Sequence, residues 1–399
     1  MGRKKISITT EDYVNDIVDT TESRVKEYIR EKRIISADEL IPTGSTLFNL
    51  SLSDNYQGGY SIGKFSNLIG DTHAGKSLIA LTMLAQCSYL KRFDNFTLIY
   101  DDVEASNEFD VSYLFGSKVE KRIQFDIISN SAEDFYGNIY RKIKEGRPFV
   151  YILDTFDAIA SEEDKERAES LADGKKAGGT YGTSKPKLAS EMFRTIKGDI
   201  RRAEGFLLVI SQTRDNIGFG SQFKPKTRSG GKALGFYSTH ESWLSVVRQV
   251  KEKDMAIGAV TECKITKNKL TGKKRTIQFP IYNDYGIDDI SANVDYLIEE
   301  GHWEKRISKK DISEEVKRGR KKKESGGVIV APEFGFEGVR RKLIYDIEEA
   351  KLDGELAVIV AEIWKKKEDS IRLNRRPRFY EEWDIDKAFY GKVGWGMAR

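Results

Sequence analysis

Short apolar runs alternate with stretches of helical periodicity between about residues 42 and 300. The runs Phe65–Ile69, Thr97–Asp101, Gln124–Ile128, Phe149–Asp154, Phe206–Ser211, Trp243–Val250, Glu262–Lys267 and Ile277–Tyr282 read as strands. Apolar residues at three- and four-residue spacing predict helices over Ser77–Leu90, Ala132–Lys144 and Leu188–Ala203. This alternation predicts an α/β fold with a mostly parallel central sheet. The last three strands have no helices between them, which predicts an antiparallel extension at one edge.

Two stretches carry no periodicity and read as long loops. Ser161–Lys187 is rich in Gly, Ser, Thr, Lys and Glu, and Asn216–Gly231 holds Gly218, Gly220, Gly230 and Gly231. Loops of that length inside a compact domain are functional or disordered. At the N-terminus, Tyr13, Val14, Ile17, Val18, Val25, Tyr28 and Ile29 predict a helix over 10–31. Near the C-terminus, Phe336, Val339, Leu343, Ile344 and Ile347 predict one helix. Asp353 and Gly354 predict a turn, and Leu356, Ile359, Val360, Ile363 and Trp364 a second helix. The expected organisation is an N-terminal helical segment (1–41), which can pack on a neighbouring subunit or on its own domain, and an α/β core (42–304). A basic linker (305–327) and a small helical module (328–399) with a basic and aromatic tail follow.

Composition narrows the class. With 39% hydrophobic and 11% aromatic residues, the chain can build a core, so wholesale disorder is excluded. Two cysteines, Cys87 and Cys263, lie too far apart to form a metal-site spacing or a disulfide framework, and they fit a reducing, cytosolic compartment. Three histidines argue against a histidine-rich metal site, and no apolar run approaches bilayer length. The net charge is +4, unevenly spread: residues 301–399 hold 24 basic and 19 acidic residues, the rest 43 and 44. Lys305–Lys323 alone holds ten basic and three acidic residues, the footprint of a solvated linker or of a polyanion partner.

The sharpest chemical signal is Gly70, Asp71, Thr72, His73, Ala74, Gly75, Lys76 and Ser77, which fits G-x-x-x-x-G-K-[ST] between a predicted strand and a predicted helix. The glycines let backbone N–H groups turn around phosphate oxygens, Lys76 neutralises them, and the Ser77 hydroxyl can ligate Mg²⁺. His73 occupies a variable position and reads as incidental. Phe149–Asp154 is an apolar strand ending in a carboxylate, so Asp154 is a candidate holder of Mg²⁺. Asp101, Asp102 and Glu104 follow the strand after the phosphate loop, and any of them can serve as general base for water.

An ordered series of motifs from Thr43 to Trp303 resembles the RecA family of recombinases, including its phage-encoded members. Thr43, Gly44 and Ser45 resemble the start of the family core, and the phosphate loop follows. Thr97–Glu104 resembles the segment whose glutamate activates water, which selects Glu104. Ile152–Thr155 resembles the metal-binding segment, and Ser211–Arg214 the Asn-Gln-x-Arg motif, in which Gln212 would sense the γ-phosphate. Gly230–Ser238 resembles the end of the family's second DNA-binding loop. Lys264–Lys269 resembles the strand whose two lysines, here Lys267 and Lys269, reach the ATP of a neighbouring subunit.

The resemblance implies a RecA-like P-loop ATPase that uses ATP and Mg²⁺ and polymerises on single-stranded DNA. It would pair that strand with homologous duplex. Catalytic roles would fall to Glu104, Lys76, Gln212, Lys267 and Lys269. The two long loops would hold DNA through Lys175, Lys176, Lys185, Arg214, Arg228, Lys232, the amides of Gly230 and Gly231, and stacking by Phe219 or Phe223. The sequence departs from the family where Val111 takes the place of an adenine-stacking tyrosine, with Phe109 and Tyr113 as substitutes. The competing readings are a ring-forming RecA-fold helicase or translocase, and an accessory DNA-binding ATPase without strand exchange.

Overall fold

Strands that are apolar at every position need cover on both faces, and the core of the chain is built that way. The computed structural model describes residues 36–105, 109–174, 184–215, 226–228, 231–306, 327–371 and 373. The N-terminal helix expected over 10–31, most of the basic linker and the aromatic tail lie outside the described residues. By its backbone contacts the chain divides into two units, 1–292 and 293–399.

In the first unit, β1 (Leu40–Ile41) and β2 (Tyr60–Ser61) form a small antiparallel pair. β3 (Lys64–Gly70), β4 (Thr97–Asp102), β5 (Ile123–Gln124), β6 (Phe149–Asp154) and β7 (Phe206–Asp215) run parallel in the spatial order β3-β7-β6-β4-β5. β8 (Lys226–Arg228) folds back antiparallel on the end of β7. β9 (His240–Glu252) lies parallel to β3 on its other side, and β10 (Met255–Asn268), β11 (Thr276–Tyr282) and β12 (Gly286–Ile287) extend that edge antiparallel. The parallel centre and the antiparallel edge are those the hydrophobic pattern predicts.

Side chains alternate across the sheet, so each strand feeds two cores. Phe149, Tyr151 and Leu153 of β6 pack with Phe135, Ile139, Phe193 and Ile196 of the helices Ala132–Lys144 and Ser184–Arg202. There Phe65 stacks on Phe193 with ring centroids 4.6 Å apart. The other face meets the helix Lys76–Tyr89, which buries Leu78, Ile79, Leu81, Met83 and Leu84. The sheet fixes the C-terminal ends of β3, β4, β6 and β7 side by side, and the phosphate loop leaves from that edge.

The structure corrects several boundaries. Of the strand predicted over Gln124–Ile128 only Gln124 pairs, in the two-residue strand Ile123–Gln124, and Ile128 is exposed. β9 and β10 run longer than predicted: the far part of their hairpin, Met255 and Val247 included, is mostly exposed or half-buried, and its apolar residues are mixed with Arg248, Lys251, Glu252, Lys253 and Asp254, which breaks the run. Ser161–Lys187 is not loop throughout. Ser161 caps the helix Glu162–Ala172 by accepting from Asp164 N at 3.2 Å, and the helix Ser184–Arg202 begins at its end.

The second unit has its own core of Trp303, Ile329, Leu343, Ile347, Leu356 and Val360. It is not wholly helical, as the spacing predicts. β13 (Glu304–Arg306), β14 (Val328–Ala331) and β15 (Phe336–Val339) form an antiparallel sheet. Phe336 and Val339 therefore belong to a strand, and the helix begins after them at Arg340–Glu349. Asp353 and Gly354 open the last helix, Asp353–Ser370, rather than turning the chain before it. Trp303 donates through Nε1 to Glu333 at 2.9 Å, and Arg340 makes a two-pronged ion pair with Asp295 at 2.6 and 2.8 Å.

Candidate functional site

The phosphate loop is held in shape by backbone geometry that only small residues permit. Gly70 ends β3, and a Cβ there would meet Leu244 Cβ at 2.9 Å. Gly75 has φ 85° and caps the helix Lys76–Tyr89, and a Cβ there would meet Ile281 Cδ1 at 2.5 Å. Among the described residues no side chain caps that helix, so its first-turn N–H groups can serve an anion. Lys76 is buried and donates to the carbonyls of Gly70 and Asp71 at 3.1 and 2.7 Å. Burial pulls its ammonium pKa down, while the carboxylates of Asp154, Glu104, Asp71 and Asp157 oppose that fall.

Next to Lys76 lies a pair of hard oxygen donors. Ser77 Oγ donates to Asp154 Oδ2 at 2.5 Å, and the buried Tyr100 hydroxyl donates to the same oxygen at 2.6 Å. Burial pushes the Asp154 carboxyl up. Its hydrogen bonds from Ser77 and Tyr100 pull it down, and Glu104 and Asp102 add to the rise. A carboxylate that is costly to bury beside a hydroxyl and two further acids fits a divalent cation, which favours oxygen ligands. The uncapped helix N-terminus and the ammonium fit a triphosphate.

The third part joins β4, β6 and β7. Thr155 Oγ1 and Gln212 Nε2 both donate to Glu104 Oε1, at 2.8 and 2.9 Å. The Gln212 backbone N–H donates to Asp157 Oδ2 at 2.5 Å. Thr72, Lys76, Ser77, Glu104, Asp154 and Gln212 thus line one cavity of about 520 Å³, closed on its far side by β9, β10 and β11.

Lys267 and Lys269 are not part of that cavity. Lys267 pairs with Glu241 of β9, which pairs with Asn67 of β3. That register sets it two strands across and about 10 Å back along the strand direction from Gly70. Its Nζ donates to the carbonyls of Gly235 and Phe236, the latter at 3.1 Å, at the end of the helix Gly231–Tyr237. Lys269 is exposed one residue beyond β10, so only Lys267 stands on the strand itself. Asn268 between them is buried. Its side chain donates to Leu52 O at 2.9 Å and to Thr271 Oγ1 at 2.8 Å, which fixes the turn.

Residues 28–288 match the family model of the RecA N-terminal domain, about two thirds of the chain. This chain belongs to the RecA family. It is 28% identical over 267 residues to Protein RecA of Chlorobium chlorochromatii, covering 66% of this chain and 69% of that protein. It is 26% identical over 265 residues to Protein RecA of Chlorobaculum tepidum, covering 66% and 71%. With Protein RecA of Oleidesulfovibrio alaskensis the match is 24% over 310 residues, covering 76% and 83%.

Among RecA-family features, the structure brings together Glu104, Lys76, Ser77, Asp154 and Gln212. Of the three acids that chemistry left open, Asp101 is buried and engaged by Ser129 and Tyr151, at 2.5 and 2.6 Å, so it serves the core. Of the substitutes for the family's stacking tyrosine, Phe109 lines the cavity, whereas Tyr113 is 72% exposed and Val111 is buried. Lys185 is turned inward, donating to the carbonyls of Phe156 and Asp157 at 2.6 and 3.3 Å, and burial lowers its pKa. Arg214 is exposed on β7. Lys175, Lys176, Phe219, Phe223 and Gly230 lie outside the described residues, as do the side chains of Arg228 and Lys232. Gly231 opens the helix Gly231–Tyr237. Tyr100 and Asp157 carry no role in the sequence reading, and Thr155 enters it only as the last residue of the metal-binding segment. Tyr100 reads as one more apolar strand position, and only its partner Asp154 shows why its hydroxyl matters.

Proposed function

We propose that the protein is an ATP-dependent DNA recombinase that forms helical filaments on single-stranded DNA and promotes homologous pairing and strand exchange. The observation that carries this reading is the division of the catalytic set within one sheet. Lys76, Ser77, Asp154, Glu104 and Gln212 converge on one cavity, while Lys267 and Lys269 stand at the opposite end of the strands. A second copy set head to tail would bring its lysines to that cavity, so ATP would lie at subunit interfaces.

In this reading Lys76 and the first-turn N–H groups hold the β- and γ-phosphates. Ser77 and Asp154 hold Mg²⁺, which when bound draws charge from the phosphate oxygens. Glu104 orients water and accepts its proton, and Thr155 and Gln212 fix that carboxylate. Gln212 trades its hydrogen bond between Glu104 and a γ-phosphate oxygen and passes the difference along β7 toward β8 and the loop between them. Lys267 and Lys269 of the neighbour neutralise charge as the bond to the γ-phosphate breaks. DNA is held chiefly through its phosphates, so affinity falls steeply with salt and hardly depends on sequence.

The test is electron microscopy of the purified protein with single-stranded DNA and a slowly hydrolysed ATP analogue. Helical filaments along the DNA are expected, and a second assay is expected to show strand exchange between a circular single strand and homologous linear duplex. Closed rings would replace this reading with a RecA-fold helicase. Filaments without strand exchange would leave an accessory DNA-binding ATPase.

A further inference from the structure

Asp71 is the second residue of the phosphate loop, yet its carboxylate is engaged by the neighbouring hairpin. Thr213 Oγ1 on β7 donates to Asp71 Oδ1, and Lys226 Nζ on β8 forms an ion pair with Asp71 Oδ2. Partial burial pushes the Asp71 carboxyl up, but Lys226 and Thr213 together hold it below its usual range. Both partners belong to one hairpin, in which Thr213 pairs with Arg228 and Asp215 with Lys226. Thr213 also follows Gln212 directly, so the strand that reaches Glu104 through one residue grips the phosphate loop through the next.

The contact is open to competition. The Lys226 and Asp71 side chains are 46% and 29% exposed, so another anion can reach the ammonium. A lysine is a compact charge on a flexible stem and exchanges partners at small cost. Lys226 stands in β8, where the chain returns to the sheet after the second long loop.

We propose that Lys226 is shared between two anions, the Asp71 carboxylate in the DNA-free protein and a nucleic-acid phosphate in the complex. Asp71 thereby latches the β7–β8 hairpin to the phosphate loop. The inference rests on the reading of this loop as DNA-binding. DNA must displace the carboxylate before it gains the lysine, so the free protein binds below its intrinsic affinity by the fraction of molecules left unlatched. By linkage, occupancy of the hairpin by DNA loosens the phosphate loop at Asp71 to the same degree. Exposed ion pairs of this kind set that factor at about three- to fivefold.

The experiment is fluorescence anisotropy of a labelled oligothymidylate with the full chain in the absence of nucleotide, for the wild type, Asp71→Asn, Lys226→Gln and the double variant. Asp71→Asn is expected to bind about three- to fivefold more tightly than the wild type. Lys226→Gln is expected to bind more weakly, with a salt slope shallower by about 0.7. The double variant should match Lys226→Gln, because the carboxylate acts only through the lysine. Thr213→Val removes one support of Asp71 and should move affinity in the same direction as Asp71→Asn, by less. If Asp71→Asn and Thr213→Val both bind like the wild type, or if the gain from Asp71→Asn persists without Lys226, the latch is overturned while the DNA-binding reading stands. If the wild type retains no oligonucleotide with or without an ATP analogue, the DNA-binding reading falls and takes the latch with it.

Discussion

The two ends of the central sheet are built on different terms. At the C-terminal end of the parallel strands, hydroxyls, amides and carboxylates answer one another within a single chain: Ser77 and Tyr100 on Asp154, Thr155 and Gln212 on Glu104. At the other end a buried asparagine and a buried histidine support a turn that presents Lys267 and Lys269. The first arrangement is a pocket. The second is a display. Residues that share a sheet need not share a site, and strand register decides which of them can meet.

The largest effect should come from the display end. Replacing Lys267 and Lys269 together by alanine is expected to lower DNA-dependent ATP turnover by about 10³–10⁵, as the loss of a cation supplied by a neighbour does. Phosphate release measures it, with nucleotide binding to the single chain unchanged. Mixing that variant with Lys76→Ala should restore turnover that neither shows alone. A mixture as inactive as its components would return the lysines to their own subunit. Next in size, Glu104→Gln should slow turnover by about 10²–10⁴ while a fluorescent ATP analogue still binds. Full turnover in that variant would hand the role of base to Asp102.

The supports of the two ends respond differently to acid. His240 at the display end is fully buried beside Ser66 and Tyr60. Burial brings its pKa from 6.5 down to about 3, with Lys267 and Lys64 adding to the fall and Asn268 opposing it. The folded chain refuses a proton that the unfolded chain accepts, so stability is lost as pH falls below 6.5. The loss is about 2 kcal/mol by pH 5. Urea midpoints at pH 7 and pH 5 would show it, and His240→Gln should flatten the difference. A slope that survives the substitution would place the titrating group elsewhere. The smallest effect is expected at the pocket end. Tyr100→Phe should cost about 1–2 kcal/mol by leaving Asp154 one donor short, and the deficit should shrink when Mg²⁺ and an ATP analogue are present.

How much of this could be read in advance depended on which signal each part carries. The strands that bear the pocket are continuous apolar runs, and Phe149–Asp154 and Ala132–Lys144 have the bounds that their pattern predicts. The helix Glu162–Ala172 buries none of its residues, so it leaves no hydrophobic period. Its local sign is Ser161 three residues before Asp164, a capping pair that the structure shows and that the polar surroundings mask in the sequence. In the sequence the strand Phe336–Val339 reads as the start of the helix after it, because two apolar residues three apart suit both. Partnerships across the chain, such as Tyr100 with Asp154 or Lys226 with Asp71, have no local signature and come only from the sheet order.

The register that parts Lys267 and Lys269 from Gly70 also carries a rule of counting. If each working site takes its phosphate loop from one chain and its lysines from the next, a row of n chains holds n − 1 sites. The chain at one end then has a pocket with no lysines, and the chain at the other has lysines with no pocket. The two tips of such an assembly are chemically unlike. Turnover per chain would climb with length toward a plateau, and short rows would be disproportionately idle. Polarity of growth and loss would thus be written into a ten-stranded sheet before any DNA is bound.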